Sequence, residues 1–238
     1  SVTTNRAAAM EVSENATAKI SGGTLTGADG KDALSGATEQ ITVTGGTFSS
    51  DVSQYVYPGL GITEDGGNFT VARKASVYVN GSGGNDSNSG EDAAHAVKTL
   101  AHAMNLVADD GVIYVCGQVT IDTPFSLDGV TLQREANYKG TLLQLTGSDA
   151  VLTVSNTTID GQKVEGTTGY LVSVGNGATL NLASGAKLVD NHYTAVYVGS
   201  NSILNMSGGE IKGNTVAQSG GGAVSVHGGT LNLTGGTI

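Results

Sequence analysis

Residues 195–211 read AVYVGSNSILNMSGGEI. Three short apolar runs in this stretch, at Val196, Leu204 and Ile211, are separated by Gly, Ser and Asn. All three runs recur at steps of 23 to 29 residues between residue 142 and residue 238. A repeat of this length is typical of a solenoid, because one coil cannot bury its apolar face alone and stacked neighbours create the core.

The middle run indicates which secondary structure the coils contain. In Leu204-Asn205-Met206 apolar and polar residues alternate, which places Asn205 on the face opposite its two neighbours. The runs Leu180-Asn181-Leu182 and Leu231-Asn232-Leu233 repeat this pattern. Three such strands per coil, joined at corners rich in glycine, predict an all-β fold, a parallel β-helix in which each strand pairs with its counterpart one coil away.

The composition argues against several classes of protein. Of the 238 residues 37 are glycine and 13% are charged, and the net charge is −10. Nucleic acid and anionic membrane surfaces require a basic patch, whereas Lys and Arg are scattered singly here. We therefore expect no nucleic-acid binding. No apolar run is long enough to cross a membrane, so we expect no direct membrane insertion either. The lone Cys116 is expected to be a small buried side chain.

The chain is predicted to contain two blocks, and residues 1–72 are the end of the first. The segment at 18–25 matches the segment at 41–48, so both are predicted to be coils of a β-helix. After them, two short runs can pair as a hairpin around Glu64-Asp65-Gly66-Gly67. We interpret this region as the C-terminal coils of a preceding β-helical block with a closing hairpin.

Residues 73–238 are predicted to be the second block, which opens with a strand, a polar loop and a helix. Apolar residues lie at helical spacing over residues 99–108, and Thr99 can cap the first turn. This helix is placed to cover the apolar end of the coils, which are predicted over residues 112–238. The sequence stops in the middle of a coil, and open strand edges need protection, so we expect further β-helix repeats of the same parent chain.

Several stretches of the second block resemble a known superfamily. Residues 78–90 read YVNGSGGNDSNSG, and they are followed by VKTLA at 97–101 and GVIYV at 111–115. This arrangement is similar to the N-terminal opening of the pectate-lyase-like right-handed β-helix superfamily. The resemblance implies a right-handed parallel β-helix with a short capping helix.

Other stretches resemble large bacterial cell-surface proteins with the same fold. The repeats NMSGGEIKGN at 205–214 and GGGAVSV at 220–226 are similar to the repeats of those proteins. GTFSSDVSQYV at 46–56 with GNFTV at 67–71 is similar to the closing segment of such blocks. The resemblance implies an adhesin-like repeat protein in an extracellular or cell-surface location, and it implies little about activity because one fold hosts many functions.

A polysaccharide lyase or glycoside hydrolase of this fold is the alternative function. Such enzymes place carboxylates, or an Arg or Lys base with calcium, on the outer face of the central coils. By coil alignment Asp160 lies level with Val189 and Lys212, so no two carboxylates share one offset in adjacent coils. Arg134 is isolated in the sequence. The pattern therefore favours a ligand-contact surface or solvated turns, and no catalytic residue is assigned.

The candidate ligand-contact residues lie where the third run crosses to the next coil. They are Asp160, Asp190, Asn191, His192, Tyr193, Lys212 and Asn214. Asn191 and Asn214 are level by alignment, and a stack of asparagines that closes corner hydrogen bonds is the alternative to a site. An exposed His192-Tyr193 pair can contact a sugar or a protein partner, and its alternative is a packed Tyr193 beside a solvent-facing His192.

A polar loop in the second block offers ligands for calcium. Asn85, Asp86, Asn88 and Asp92 supply the oxygen atoms that calcium prefers. The loop lacks the alternating acidic spacing and the late Glu of a recognised calcium loop, and Asx turns explain the same composition. Calcium is therefore the one cofactor considered, and no other is expected.

These observations favour a structural and binding role. We expect a rigid β-helical stalk of a bacterial surface or secreted protein, which displays loops to a host protein or a glycan as an adhesin does. The variable crossings at residues 160–169, 190–194 and 212–222 are the predicted display loops. A polysaccharide-cleaving enzyme stays the alternative.

Overall fold

The computed structural model describes residues 8–28, 30–215 and 221–238. Backbone contacts divide the chain into two compact units. One contains residues up to Lys74 together with Met104–Ala108, and the other contains Ala75–Ala103 and Asp109–Ile238. The correspondence of residues 1–72 and 73–238 to two blocks of a longer protein stays a prediction.

The first unit contains six strands and two short 3₁₀ helices in its described residues. The 3₁₀ helices are Thr38–Gln40 and Ser53–Tyr55. The strands are β1 (Met10–Glu11), β2 (Ala18–Leu25), β3 (Leu34–Ser35), β4 (Ile41–Phe48), β5 (Ile62–Asp65) and β6 (Asn68–Val71). β1 pairs with β3, and β2, β4, β6 and β5 form a sheet in that order.

The two matching segments of this unit pair in parallel, as their repeat predicts. Ala18 of β2 lies opposite Ile41 of β4. The register shifts on either side of Ser21, next to the glycine pair of each strand. The predicted hairpin is also present, although its turn is shorter than expected. Only Gly66 and Gly67 are unpaired, at φ of 56° and 81°, which suits the two-residue turn with positive φ at both positions.

The hairpin has a role that the sequence did not indicate. Its strand β6 pairs antiparallel with β4, and Phe69 lies opposite Phe48. An open parallel strand exposes unpaired N–H and C=O groups, so this antiparallel pair covers the edge of β4.

The chain then continues through β7 (Lys74–Asn80), the helix α1 (Leu100–Leu106) and β8 (Val107–Gly117). The predicted cap is confirmed, because the backbone N–H of His102 donates to Oγ1 of Thr99 over 3.1 Å. The helix is shorter than the predicted 99–108. Val107 is 1% exposed and begins a strand, since a buried β-branched residue fits a pleated sheet better than another helical turn.

Coils of three strands follow, and equivalent strands stack into three parallel sheets. Sheet 1 contains β9 (Val119–Ile121), β12 (Leu143–Thr146), β15 (Val172–Gly175), β18 (Val196–Val198) and β21 (Val224–Val226). Sheet 2 contains β10 (Phe125–Asp128), β13 (Val151–Ser155), β16 (Thr179–Leu182), β19 (Ile203–Met206) and β22 (Thr230–Leu233). Sheet 3 contains β7, β8, β11 (Thr131–Arg134), β14 (Thr158–Asp160), β17 (Lys187–Val189) and β20 (Glu210–Lys212).

The strand pairing confirms the predicted alignment of the coils. Val172 pairs with Val196 in sheet 1, and Leu180 pairs with Leu204 in sheet 2. Ile159 pairs with Leu188 in sheet 3. The protein is therefore an all-β parallel β-helix, and the one α-helix of the described residues precedes the coils.

The core consists of aliphatic columns that run from coil to coil. Leu152, Leu180 and Leu204 stack in sheet 2, each with no exposed surface. Burial of one leucine side chain stabilises the fold by roughly 1.5–3 kcal/mol. The intervening residues point outward, where the amide of Asn205 donates to Oδ1 of Asn181 over 2.9 Å and accepts from Asn232 over 2.8 Å.

Candidate ligand-contact surface

The predicted contact residues lie at the ends of the sheet 3 strands and in the crossings that follow. Asp160 ends β14 and Lys212 ends β20, and both pair with Val189 in the register of the sheet. This register confirms that the acidic Asp160 has no carboxylate at the same offset in the next coil.

Asn191 is a buried structural residue and has no surface for contact with a ligand. It is 0% exposed, and its side-chain amide donates to the carbonyls of Gly169 at 3.0 Å and Thr194 at 3.1 Å. Its Oδ1 accepts from Nη2 of Arg134 over 3.0 Å. Asn191 was a candidate on the basis of its place in the crossing, and that choice is corrected because the side chain turns inward to close the corner.

Asn214 forms the next step of the predicted asparagine stack. Its Oδ1 accepts from the backbone N–H of Asn191 over 2.9 Å. Its amide donates to the carbonyls of Leu188 and Lys212, both at 3.0 Å. The pair therefore satisfies the backbone groups of two consecutive corners, which is the alternative that the alignment offered.

Among the described residues Arg134 is the largest fully buried side chain, and it connects three coils. It is 1% exposed, and its guanidinium donates to the carbonyls of Tyr138, Gly140 and Tyr170 besides Asn191. Burial lowers the pKa of Arg134 to about 10, so the guanidinium is protonated at neutral pH. The sequence showed Arg134 only as isolated, because no local pattern indicates that carbonyls from later coils will surround it.

The charged candidates are half-buried or exposed, and each has a partner on its own crossing or strand or on the crossing of the neighbouring coil. The carboxylate of Asp190 lies 3.3 Å from Nζ of Lys163, and Nζ of Lys212 lies 2.8 Å from Glu210. Asp160 accepts from the backbone N–H of Gln162 over 2.7 Å and from its side-chain amide. Such exposed pairs contribute at most about 1 kcal/mol, so they order the crossings more than they stabilise the fold.

His192 and Tyr193 have different surroundings. The ring of Tyr193 meets the ring of Tyr170 edge to face at a centroid distance of 5.3 Å. His192 is half-buried, and its Nδ1 is enclosed without a hydrogen-bond partner among the described residues. The alternative for this pair was a packed Tyr193 beside a solvent-facing His192. Tyr193 is packed as that alternative states, whereas His192 is less exposed than it supposes.

Tyr193 belongs to a group of aromatic rings that the sequence reasoning missed. Tyr170 also packs against Tyr197 at 5.2 Å, and Tyr197 stacks with His227 at 5.4 Å. These rings come from successive coils. The signal that could have found them is the outward position of Tyr197, which the register places level with Ser173 and Ser225.

A second aromatic pair lies on the outer face of sheet 3. The rings of Tyr78 and Tyr114 stack at a centroid distance of 4.8 Å with an angle of 28° between their planes. Burial raises the pKa of Tyr78, and the neighbouring Tyr114 and Glu135 raise it further. A recess next to this pair has a volume of ≈ 340 Å³, which is large enough for a small ligand. It is lined by Tyr78, Tyr114, Gln133, Arg134, Glu135, Ala136, Gln162 and Val164.

Two side chains of the candidate calcium loop, Asn85 and Asp86, already accept hydrogen bonds from backbone N–H groups. Asp86 accepts from the backbone N–H groups of Lys98 and Thr99 and from the Thr99 hydroxyl, at 2.8 to 2.9 Å. Partial burial opposes ionisation of Asp86, and the hydrogen bonds outweigh it, so its pKa lies below the usual value. Asn85 closes an Asx turn with the N–H of Ser87 over 2.9 Å.

The remaining two members of that set have similar local partners. Asn88 donates to the carbonyl of Ala96 over 2.9 Å, and Asp92 accepts from the N–H and the ring of His95. Within the described ranges no three His, Cys, Asp or Glu side chains converge as a metal site. The loop thus has the Asx-turn structure that its composition suggested, and calcium binding stays an untested prediction.

Cys116 is only half-buried, in contrast to the expected full burial. Its thiol donates to the carbonyl of Val79 over 3.3 Å, and burial raises its pKa. A raised pKa keeps the sulfur as a thiol at neutral pH, so Cys116 is not an activated nucleophile.

Comparisons with known proteins add no relative. No family model matches the chain, and neither the curated proteins nor the solved structures contain a match. In the part of the chain that the structure describes, no helix has the length and apolar character needed to span a membrane.

Proposed function

We propose that this chain is a structural and binding segment of a bacterial surface or secreted protein with an adhesin-like role. In this proposal the parallel β-helix is a rigid stalk related to the pectate-lyase-like superfamily. Its crossings after sheet 3 are the surface that contacts a host protein or a glycan.

One observation carries the proposal, namely the fixed geometry of the crossings. Arg134 and Asn191 hold the corners of three coils through buried hydrogen bonds, and Asn214 continues the connection to the next coil. A surface that is ordered before binding loses less conformational entropy when a partner arrives. The side chains that remain on the outside, such as His192 and Tyr193, are therefore presented in one arrangement.

The composition supports an extracellular setting. The net charge of −10 disfavours contact with nucleic acid or anionic lipid headgroups. The many hydroxyl, amide and glycine residues on the corners suit a hydrated surface. The partner in this proposal is a host protein or a glycan, and no cofactor is needed for binding.

A screen of immobilised glycans and host extracellular proteins tests the proposal. The 238-residue chain is compared with the double variant His192→Ala/Tyr193→Ala and with Ser126→Ala, an exposed position on sheet 2. We expect a ligand whose binding is lost in the double variant and retained in Ser126→Ala. A ligand that binds all three proteins equally would contradict the role of this surface.

The same proteins address the enzyme alternative. Incubation with pectins and mucin glycans is followed by measurement of new reducing ends and of unsaturated products. We expect no turnover above that of buffer. Turnover by the wild-type chain would replace the binding proposal with a polysaccharide-cleaving function.

A further inference from the structure

The recess beside Tyr78 and Tyr114 has the size and lining of a small binding site. The recess lies on the outer face of sheet 3 and has a volume of ≈ 340 Å³. Ligand sites combine aromatic or apolar walls with a few polar groups that fix orientation. Here the stacked tyrosine pair provides the aromatic wall, and two glutamines and a glutamate provide the polar groups.

The polar groups of the recess retain unused hydrogen-bonding capacity. The side-chain amide of Gln133 has no partner among the described residues, although the residue is half-buried. The carboxylate of Glu135 accepts from the N–H and the side-chain amide of Asn137, at 2.9 and 3.1 Å. A carboxylate has four acceptor positions, so Glu135 can still accept from a ligand.

Gln162, the third polar residue of the recess, is held in place by a strained turn. Gln162 and Lys163 both adopt positive φ, at 56° and 48°, which costs roughly 1–2 kcal/mol per residue without glycine. Asp160 accepts from the N–H of Gln162, and the N–H of Lys163 donates to the carbonyl of Asp190 over 2.6 Å. Strain of this kind persists only where the surroundings enforce it, and here it fixes Gln162 at the recess.

The chemistry of the lining selects the class of ligand. Glutamine amides both donate and accept, and the carboxylate accepts, so a ligand must offer several hydroxyl groups within a small volume. The tyrosine pair favours a ligand with an apolar C–H face. Lys163 is paired with Asp190. Arg134 also lines the recess, but it is 1% exposed and its terminal nitrogens donate to carbonyls, although its Nε has no partner among the described residues. Among the described lining residues no exposed cation attracts an acidic ligand.

We propose that this recess is a binding site for one uncharged sugar unit of a glycan. It rests on the proposed function in that a glycan is one of the two partner classes named there. It goes further because it assigns a site outside the predicted crossing residues His192 and Tyr193. The stacked tyrosines contact the apolar face of the sugar, and Gln133, Glu135 and Gln162 bind its hydroxyl groups.

Protein-observed NMR titration with glucose, galactose, mannose and N-acetylglucosamine tests this site. The variants are Tyr114→Ala and Gln133→Ala, and Tyr197→Ala is the matched control because it removes a stacked tyrosine outside the recess. We expect Tyr114→Ala to weaken binding of the preferred sugar about tenfold. Gln133→Ala should weaken it roughly threefold or more, and Tyr197→Ala should leave it unchanged.

Gln133→Ala keeps the test decisive if Tyr114→Ala fails to fold, since Gln133 has no hydrogen-bond partner in the described protein. Equal affinity of wild type and Gln133→Ala would overturn the proposal, as would a preference for glucuronate or for choline over all four sugars. The proposal would also be overturned if none of the four sugars binds. The proposed function is judged separately, by loss of the screened ligand in His192→Ala/Tyr193→Ala.

Discussion

Nη2 of Arg134 donates to Oδ1 of Asn191 over 3.0 Å, and the two residues are 57 positions apart with both side chains buried. The bond connects the corner after β11 to the corner after β17. The two terminal nitrogens of this buried guanidinium donate to carbonyl and amide oxygens, which do not titrate, whereas its Nε has no partner among the described residues.

Replacement of Arg134 by Met should destabilise the protein. The aliphatic chain of Met fills part of the volume, but the carbonyl of Gly140 and the Oδ1 of Asn191 lose the donor that Arg134 provides. We expect the free energy of unfolding to fall by about 3 kcal/mol, measured by urea denaturation. A variant as stable as the wild type would show that the cost of burying the guanidinium equals the value of its hydrogen bonds.

Two asparagines on different faces should respond differently to the same change. Asn191→Ala removes three buried hydrogen bonds of the corner, and we expect a loss of about 3 kcal/mol. Asn205→Ala removes two bonds of the outward asparagine column on sheet 2, with an expected loss of about 1 kcal/mol. Equal losses in thermal or urea unfolding would contradict the assignment of Asn191 to the core of the corner.

Lys163 offers a test of backbone strain. Both glycine and alanine at this position lose the ion pair with Asp190, but glycine adopts φ of 48° freely, whereas alanine retains the strain. We expect Lys163→Gly to be about 1 kcal/mol more stable than Lys163→Ala, after the greater entropy of unfolded glycine offsets part of the gain. If alanine proves the more stable of the two, residue 163 is not strained in solution.

The carboxylate of Asp86 should make the stability of the protein depend on pH in the acidic range. Its pKa is lower in the folded protein than the usual value of 3.8, so its stabilising contribution is present above that value and is lost as the pH falls through the folded pKa. We expect Asp86→Ala to cost about 1 kcal/mol at pH 7, because the backbone N–H groups of Lys98 and Thr99, just before α1, lose an acceptor. The difference in melting temperature from the wild type should shrink below pH ~4, whereas Ser126→Ala should show no such convergence.

The periodic part of the fold could be read from the sequence because it depends on local alternation and on repetition. Leu204 and Asn205 face opposite sides of a strand in any register, and the repeat itself specified which residues pair between coils. The hairpin around Gly66 and Gly67 was also predictable, since two adjacent glycines permit a turn with positive φ. The end of α1 was not, because burial of Val107 in a sheet outweighed its helical spacing.

The side-chain arrangement of the candidate surface was harder to predict from the sequence than the strands were. The register placed Asp160 and Lys212 correctly at the edge of sheet 3. It could not show that Asn191 turns inward to Arg134, because that depends on a corner from a different coil. The same limit hid the contact between Tyr170 and Tyr197 and the recess beside Tyr114.

The sequence by itself determined the parallel β-helix, its three strands per coil and the alignment of successive coils, because each follows from a short pattern that repeats. Only the tertiary structure decided which corner residues are buried, which aromatic rings meet and where a recess forms. Those outcomes depend on side chains that are far apart in the chain and are brought together by the stacking of coils, so no single repeat contains the information that specifies them.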